Sequence, residues 1–141
     1  MLAKNEPCPH CGRYDSRTVT IDAVIIKDQK VLLIKRGKEP DKGLWGVPGG
    51  YVDWDETLEG TVKREVKEET NLDVKKLKLI GISSSPKRHP KQVINIVYLA
   101  TADGDAIHGD DAQDLKWFDL DKLPPKMALD HKQNIIDALR I

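Results

Sequence analysis

The segment Gly50-Tyr-Val-Asp-Trp-Asp-Glu56-Thr-Leu-Glu-Gly-Thr-Val-Lys-Arg64-Glu65-Val-Lys-Glu68-Glu69-Thr-Asn71-Leu72 carries three glutamates, Glu65, Glu68 and Glu69, at offsets that share one side of a helix. Like charges so placed repel and weaken an isolated helix. A hard divalent cation between them offsets that repulsion, and carboxylate oxygens suit Mg²⁺ or Mn²⁺. The plainer reading is an acidic, solvated helix face. The surroundings weigh against it. Pro48-Gly49-Gly50 is a turn whose glycines let backbone approach a ligand. Asp55 or Thr57 is placed to cap the helix, and Glu59 adds negative charge to its first turn. Leu58, Val62 and Val66 form an apolar stripe beside the acidic row. Glu56 and Arg64 bring opposite charges to the same unit, and an arginine beside carboxylates serves to orient them.

Outward from this unit the chain reads as alternating strands and helices. Thr18–Ile26 alternates and then turns fully apolar, as a strand entering a core does. Asp28-Gln29 reads as a hairpin turn into a second strand, Lys30–Arg36. Residues 37–46 form a loop ending near Trp45, and the helix bearing the glutamates covers about 57–70. Leu77–Ile82 and Val93–Leu99 read as strands joined by Ser83–Lys91. Residues 103–114, with Asp103, Asp105, Asp110, Asp111 and Asp114, read as a loop, and Leu115–Leu120 as a short strand. Leu129, Ile135, Ile136 and Leu139 give the tail a helical stripe. This order predicts an α/β fold, a mixed sheet between helices.

The Gly50–Leu72 segment resembles the Nudix box, G-x5-E-x7-R-E-U-x-E-E-x-G-U, where U is aliphatic. Gly50, Glu56, Arg64, Glu65, Val66, Glu68, Glu69 and Leu72 fall on its fixed positions; Asn71 stands where the second glycine would be. That position follows the helix, where a left-handed residue ends it, and Asn is the next choice after Gly. The resemblance implies the Nudix fold, an α/β/α sandwich with a mixed β-sheet, over residues 17–141. It also implies hydrolysis of a nucleoside diphosphate linked to another group. Charge builds on the phosphoryl oxygens and water must lose a proton, so the chemistry asks for metal and a base. Glu65, Glu68 and Glu69 are the expected metal ligands, with the Gly49 carbonyl as a further ligand that the family implies. For the base, Glu65 competes with an acid of the 103–114 loop, where relatives place a late carboxylate; Asp111 or Asp110 is the choice there, Asp111 first. Gly50, Glu56 and Arg64 are assigned to support of the glutamate row.

Ser85-Pro-Lys-Arg-His-Pro-Lys91 resembles the Pro-x-Arg-Asp-Pro-Arg stretch of the ADP-ribose pyrophosphatase group, with His89 for Asp and Lys91 for Arg. Ala-Leu-Asp-His at 128–131 and Gly-Asp-Asp-Ala at 109–112 are similar to segments of the same group. NADH pyrophosphatases carry Ser-Gln-Pro-Trp-Pro-Phe-Pro in the loop; this chain keeps Pro86 and Pro90 but lacks both aromatics. The favoured expectation is ADP-ribose cut to AMP and ribose 5-phosphate, with Arg36, Arg88 and Lys91 touching substrate. A nucleoside triphosphate pyrophosphohydrolase and an NADH pyrophosphatase are the other enzyme readings. An ADP-ribose-binding sensor is the non-enzyme reading, disfavoured because the acidic box residues are all kept and the chain ends at Ile141 without a DNA-binding domain.

Composition bounds the rest. The 141 residues suit one domain, and Lys plus Arg balance Asp plus Glu at 23 each, so no global field draws nucleic acid or an anionic membrane. No apolar run is long enough to span a bilayer, and Met1–Pro7 lacks the apolar core of a signal peptide. A cytoplasmic protein acting on a small nucleotide is expected, with a homodimer as the assembly its relatives suggest. Residues 1–16 hold Cys8-Pro-His-Cys11, one knuckle of a zinc ribbon. Zinc at Cys8 and Cys11 would need a second chain or distant histidines; the other readings are a ribbon remnant and a disulfide.

Overall fold

The computed structural model describes residues 6–141. Its elements are β1 (Val19–Lys27), β2 (Lys30–Arg36), β3 (Trp45–Gly46), β4 (Gly49–Tyr51), α1 (Leu58–Thr70), β5 (Asp73–Ser83), β6 (Ile94–Asp103), β7 (Ala112–Asp119) and α2 (His131–Leu139). The strand order is β3-β2-β1-β6-β5, with β4 also on β1 and β7 also on β2. β1 and β6 run parallel, and the other pairs are antiparallel, so the sheet is mixed.

Asp28 and Gln29 both take positive φ, 52° and 62°. Two such residues make the tight turn whose twist suits a hairpin. β1 and β2 then pair only beside that turn, at Ile26 with Val31 and Lys27 with Lys30. Beyond it they part: β1 continues against β4 and β6, and β2 against β3 and β7. The opening between these halves becomes the cleft described below.

Alternation along β1 feeds two cores. Ile21, Ala23 and Ile25 join Ile96, Tyr98 and Ala100 of β6 under Val62 and Val66 of α1. Val24 joins Val31, Leu33 and Val97 under Ile135 and Ala138 of α2. The two helices therefore cover opposite faces, the expected α/β/α sandwich. Trp45 is a core aromatic, edge-on to Phe118 with ring centroids 4.9 Å apart.

Thr57 caps α1, its hydroxyl accepting from the Gly60 amide at 3.0 Å; Asp55 does not. Asn71 closes the helix in the left-handed region at φ 66°. Three stretches depart from the sequence reading. Gly49 and Gly50, read as part of a turn, lie in strand β4 and pair with Asp22 and Ile21 of β1. β5 begins at Asp73 rather than Leu77; it is an edge strand, and Lys75, Lys76 and Lys78 on it hide the alternation. The expected 103–114 loop is shorter, because β7 starts at Ala112. What remains of it docks on the end of α1: Ile107 and Gly109 amides donate to the Thr70 and Glu69 carbonyls, at 2.9 and 3.1 Å. Those carbonyls would otherwise lack partners.

Candidate active site

Arg64 organises the acidic row. Its Nε and Nη2 grip both oxygens of Glu56, at 2.6 and 2.8 Å, while Nη1 donates to Glu65 Oε1 at 2.8 Å. Nη2 also donates to the Tyr51 carbonyl at 3.0 Å, which ties the helix to β4. The guanidinium hydrogen bonds hold the Glu56 carboxyl down at about 2, helped by the Asp53 amide. The three glutamates do not point to one place. Glu68 turns outward, 58 % exposed, and pairs with Arg64 one helical turn back at 3.3 Å. Glu65 and Glu69 turn inward together.

This inward pair carries the strongest signs of an intended cation. Burial raises the Glu69 carboxyl well above its ordinary value, and its hydrogen bond with Glu65 raises it further. Its Oε2 is buried without a hydrogen-bond partner. Glu65 lies so close to Gly50 that a Cβ there would overlap the carboxylate. Two inward carboxylates, an orphaned oxygen and exposed glycine backbone are hard oxygen donors, which fit Mg²⁺ or Mn²⁺. Among the described residues no three His, Cys, Asp or Glu side chains converge in ligand geometry. The donor set present is thus a carboxylate pair with room for backbone, water and substrate oxygens.

The pair forms one wall of a cleft of about 540 Å³. Gly49, Gly50, Arg36, Arg88, Lys91, Asp111 and Asp22 also line it. Arg36 is steadied by its own loop, Nε donating to the Pro40 carbonyl at 2.7 Å. Asp111 stands at the rim, exposed, with Lys38 3.2 Å away. Gly37 lies flush against the Asp111 carbonyl, where a Cβ would clash, so the loops after β2 and before β7 touch at the mouth. Arg88, by contrast, is no surface-loop cation. Its side chain is 8 % exposed, 2.7 Å from Asp130 and 3.8 Å from Asp22, and its Nε and Nη1 have no partner.

Two residues that sequence reasoning passed over sit on the cleft floor. Asp22 is a buried acid in an otherwise apolar strand. His131 is buried at the start of α2, although the histidines gave no individual signal in the sequence. The clue available was Asp22 itself, one charge inside the Thr18–Ile26 run, since a buried charge requires partners.

Cys8 and Cys11 are free thiols, so the disulfide reading is wrong. Among the described residues no third ligand joins them, so distant histidines do not complete a zinc site. Backbone hydrogen bonds from His10 and Cys11 hold the Cys8 thiol below its usual value. The segment packs beside the box turn, with Arg13 over the Trp54 ring at 4.6 Å. Among the described residues no helix is long and apolar enough to cross a membrane.

Fold and site together define a class: an α/β/α protein in which a glycine turn and an acidic helix wall one cleft. A NUDIX domain matches residues 16–139, and the chain belongs to the Nudix family. It is 47% identical over 129 residues to an ADP-ribose pyrophosphatase of Methanocaldococcus jannaschii, covering 90% of this chain and 76% of that one. An NAD-capped RNA hydrolase of Chromobacterium violaceum is 32% identical across 83% of this chain, which spans only 44% of that protein's length. The Nudix domain of Shewanella oneidensis NrtR, solved with ADP ribose, superposes with a TM-score of 0.79 at 31% identity, covering 90% of this chain and 89% of that one.

Proposed function

We propose that this chain is a metal-dependent pyrophosphohydrolase that cleaves ADP-ribose to AMP and ribose 5-phosphate. The observation that carries the reading is the inward Glu65–Glu69 pair, with Glu69 Oε2 buried and unpartnered and the Gly49–Gly50 backbone of β4 beside the pair. A pair so disposed is costly unless a proton or a cation separates it. Glu65 and Glu69 would hold Mg²⁺ or Mn²⁺ with the Gly49 carbonyl, and Glu68 would join by swinging from Arg64. When bound, the cation neutralises charge on the phosphoryl oxygens and eases deprotonation of water.

The chain's own groups do the rest. Water attacks one phosphorus, the bridging P–O bond breaks, and the attacking water's proton passes to a carboxylate. Asp111 is assigned that proton, since it stands at the rim free of the inward pair. Arg36, Arg88 and Lys91 line the cleft as cations for phosphate or ribose oxygens. Arg64 and Glu56 hold the row in place.

A second substrate, NADH or another NAD-linked diphosphate, is favoured by the likeness to the NAD-capped RNA hydrolase. A panel in Mg²⁺ covering ADP-ribose, NADH, diadenosine polyphosphates and nucleoside triphosphates, with products separated by chromatography, decides. AMP and ribose 5-phosphate from ADP-ribose, without release of inorganic pyrophosphate from triphosphates, is the expected result. Preferential triphosphate cleavage would overturn the substrate assignment, and no cleavage would return the chain to the sensor reading.

A further inference from the structure

Asp22 lies at the meeting point of four elements, and nothing in the chemistry above has used it. It sits on β1 directly opposite Gly49 of β4. Asn95 Nδ2 of β6 donates to its Oδ2 at 2.7 Å, His131 Nε2 of α2 lies 3.2 Å from the same oxygen, and Arg88 Nη2 stands 3.8 Å away. These partners offset the cost of burying its charge, and they all crowd one oxygen. The other oxygen faces the glycine turn: a Cβ on Gly49 would overlap Asp22 Oδ1. Oδ1 therefore rests on the Cα of the residue whose carbonyl is the expected backbone ligand.

His131 braces the same turn from the α2 side. Its Nδ1 accepts from the Val47 amide at 3.0 Å. A ring nitrogen that accepts from an amide carries no proton, so the proton sits on Nε2, toward Asp22. The ring also lies against Gly46, where a Cβ would meet it. Residues 46–49 are thus fixed by an imidazole and a carboxylate, and by the Ala23 amide donating to the Pro48 carbonyl at 2.8 Å.

We propose that Asp22, oriented by His131 and Asn95, is a positioning residue that sets the Gly49 carbonyl and the charge on the floor beneath the Glu65–Glu69 pair, and so tunes cation affinity. This rests on the cation reading given under the proposed function. Outer carboxylates and imidazoles that orient ligands in this way change metal affinity about 10–100-fold when altered.

The test is Mn²⁺ titration followed by electron paramagnetic resonance, on the whole chain and three variants. Wild type binds, and Glu69→Gln loses binding; failure of wild type to bind overturns the cation reading itself. Asp22→Asn keeps the volume and one acceptor oxygen, and its Mn²⁺ affinity is expected to fall about 10–100-fold. Its turnover at low Mn²⁺ falls in parallel and recovers as Mn²⁺ is raised. A merely damaged core would not be rescued by metal. His131→Asn keeps an acceptor for the Val47 amide but cannot reach Asp22, and shifts Mn²⁺ affinity the same way by less; it carries the test if Asp22→Asn does not fold. Wild-type Mn²⁺ affinity in the folded variants, with Glu69→Gln still dead, overturns the inference alone.

Discussion

Gly50→Ala separates a role in the fold from a role in the site. Gly50 does not occupy the left-handed region, and it pairs with Ile21 in the sheet. Alanine is therefore tolerated by the backbone, and by stiffening the unfolded chain it adds about 0.4–1 kcal/mol of stability. The new methyl would stand 2.7 Å from Glu65 Oε2 and closer to its other carboxylate atoms. Ordinary contact needs 3.4 Å or more, so the carboxylate must retreat by about 1 Å. Moving a flexible side chain off its rotamer costs about 0.5–1.5 kcal/mol, and the 2.8 Å bond from Arg64 weakens with it. The stability terms nearly cancel, leaving Tm within a few degrees. The activity terms do not. A 1 Å misplacement of a positioned group costs on the order of 10²-fold in rate, or about 2.7 kcal/mol of transition-state stabilisation. The assay is kcat/KM for ADP-ribose in Mg²⁺ beside a thermal melt, with Gly81→Ala as control, because a Cβ at Gly81 meets nothing within 4 Å. Full activity in Gly50→Ala would mean that Glu65 need not sit where it does, and the ligand assignment would fall.

Four further outcomes are expected. Asp111→Asn lowers kcat about 10²-fold or more while Mn²⁺ affinity stays at the wild-type value; a change under threefold in kcat would pass the proton to Glu65. In EDTA, urea midpoints should fall as pH rises above 4.5, because the folded state holds the Glu69 proton more tightly than the unfolded chain does. That contribution is complete below pH 4.5 and lost through the raised folded value, so Glu69→Gln flattens the decline; an identical slope in the variant would contradict the burial argument. Glu56 behaves oppositely, its contribution being present above pH 4.5 and lost as pH falls toward about 2, and Glu56→Gln removes that acid-side loss. Thr57→Ala deletes the α1 cap and should cost about 1 kcal/mol, a drop of about 2–4 °C in Tm, with kcat unchanged; an unmoved Tm would show that the cap bond contributes nothing in solution.

The helix and its turn were legible because local rules govern them. Spacing put Val62 and Val66 inward, Asp55 or Thr57 at the cap and Asn71 at the left-handed end, and each depends on neighbours within a few positions. The same rules misplace Glu68. Helical offset sets it beside Glu65 and Glu69, yet offset also sets it one turn after Arg64, and the ion pair turns it to solvent. The sequence holds both geometries, and only the surrounding packing chooses between them.

The cleft floor was illegible for a different reason. Asp22, Asn95, Arg88, Asp130 and His131 come from β1, β6, the loop between β5 and β6, and the start of α2, and each looks ordinary where it stands. The likeness of 85–91 and 128–131 to family segments marked Arg88 as a substrate contact, but nothing in either stretch pointed to Asp22 as the partner of Arg88 and His131. They become a unit only once the parallel β1–β6 pairing brings Asp22 beside the start of β6 and α2 crosses that face. A single charge inside an apolar strand was the trace the sequence left of their meeting, and it carries a general consequence. Burying Asp22 without partners would cost more than one strand residue contributes, so its presence there implied an arginine, a histidine or an amide from elsewhere in the chain. The structure supplies all three, and they are spent on one carboxylate that touches the glycine turn rather than on the core. That placement ties the loop after β5 and the start of α2 mechanically to the box. Substitutions at Arg88 or Asp130 should therefore weaken Mn²⁺ binding in the same titration as well as disturb substrate binding.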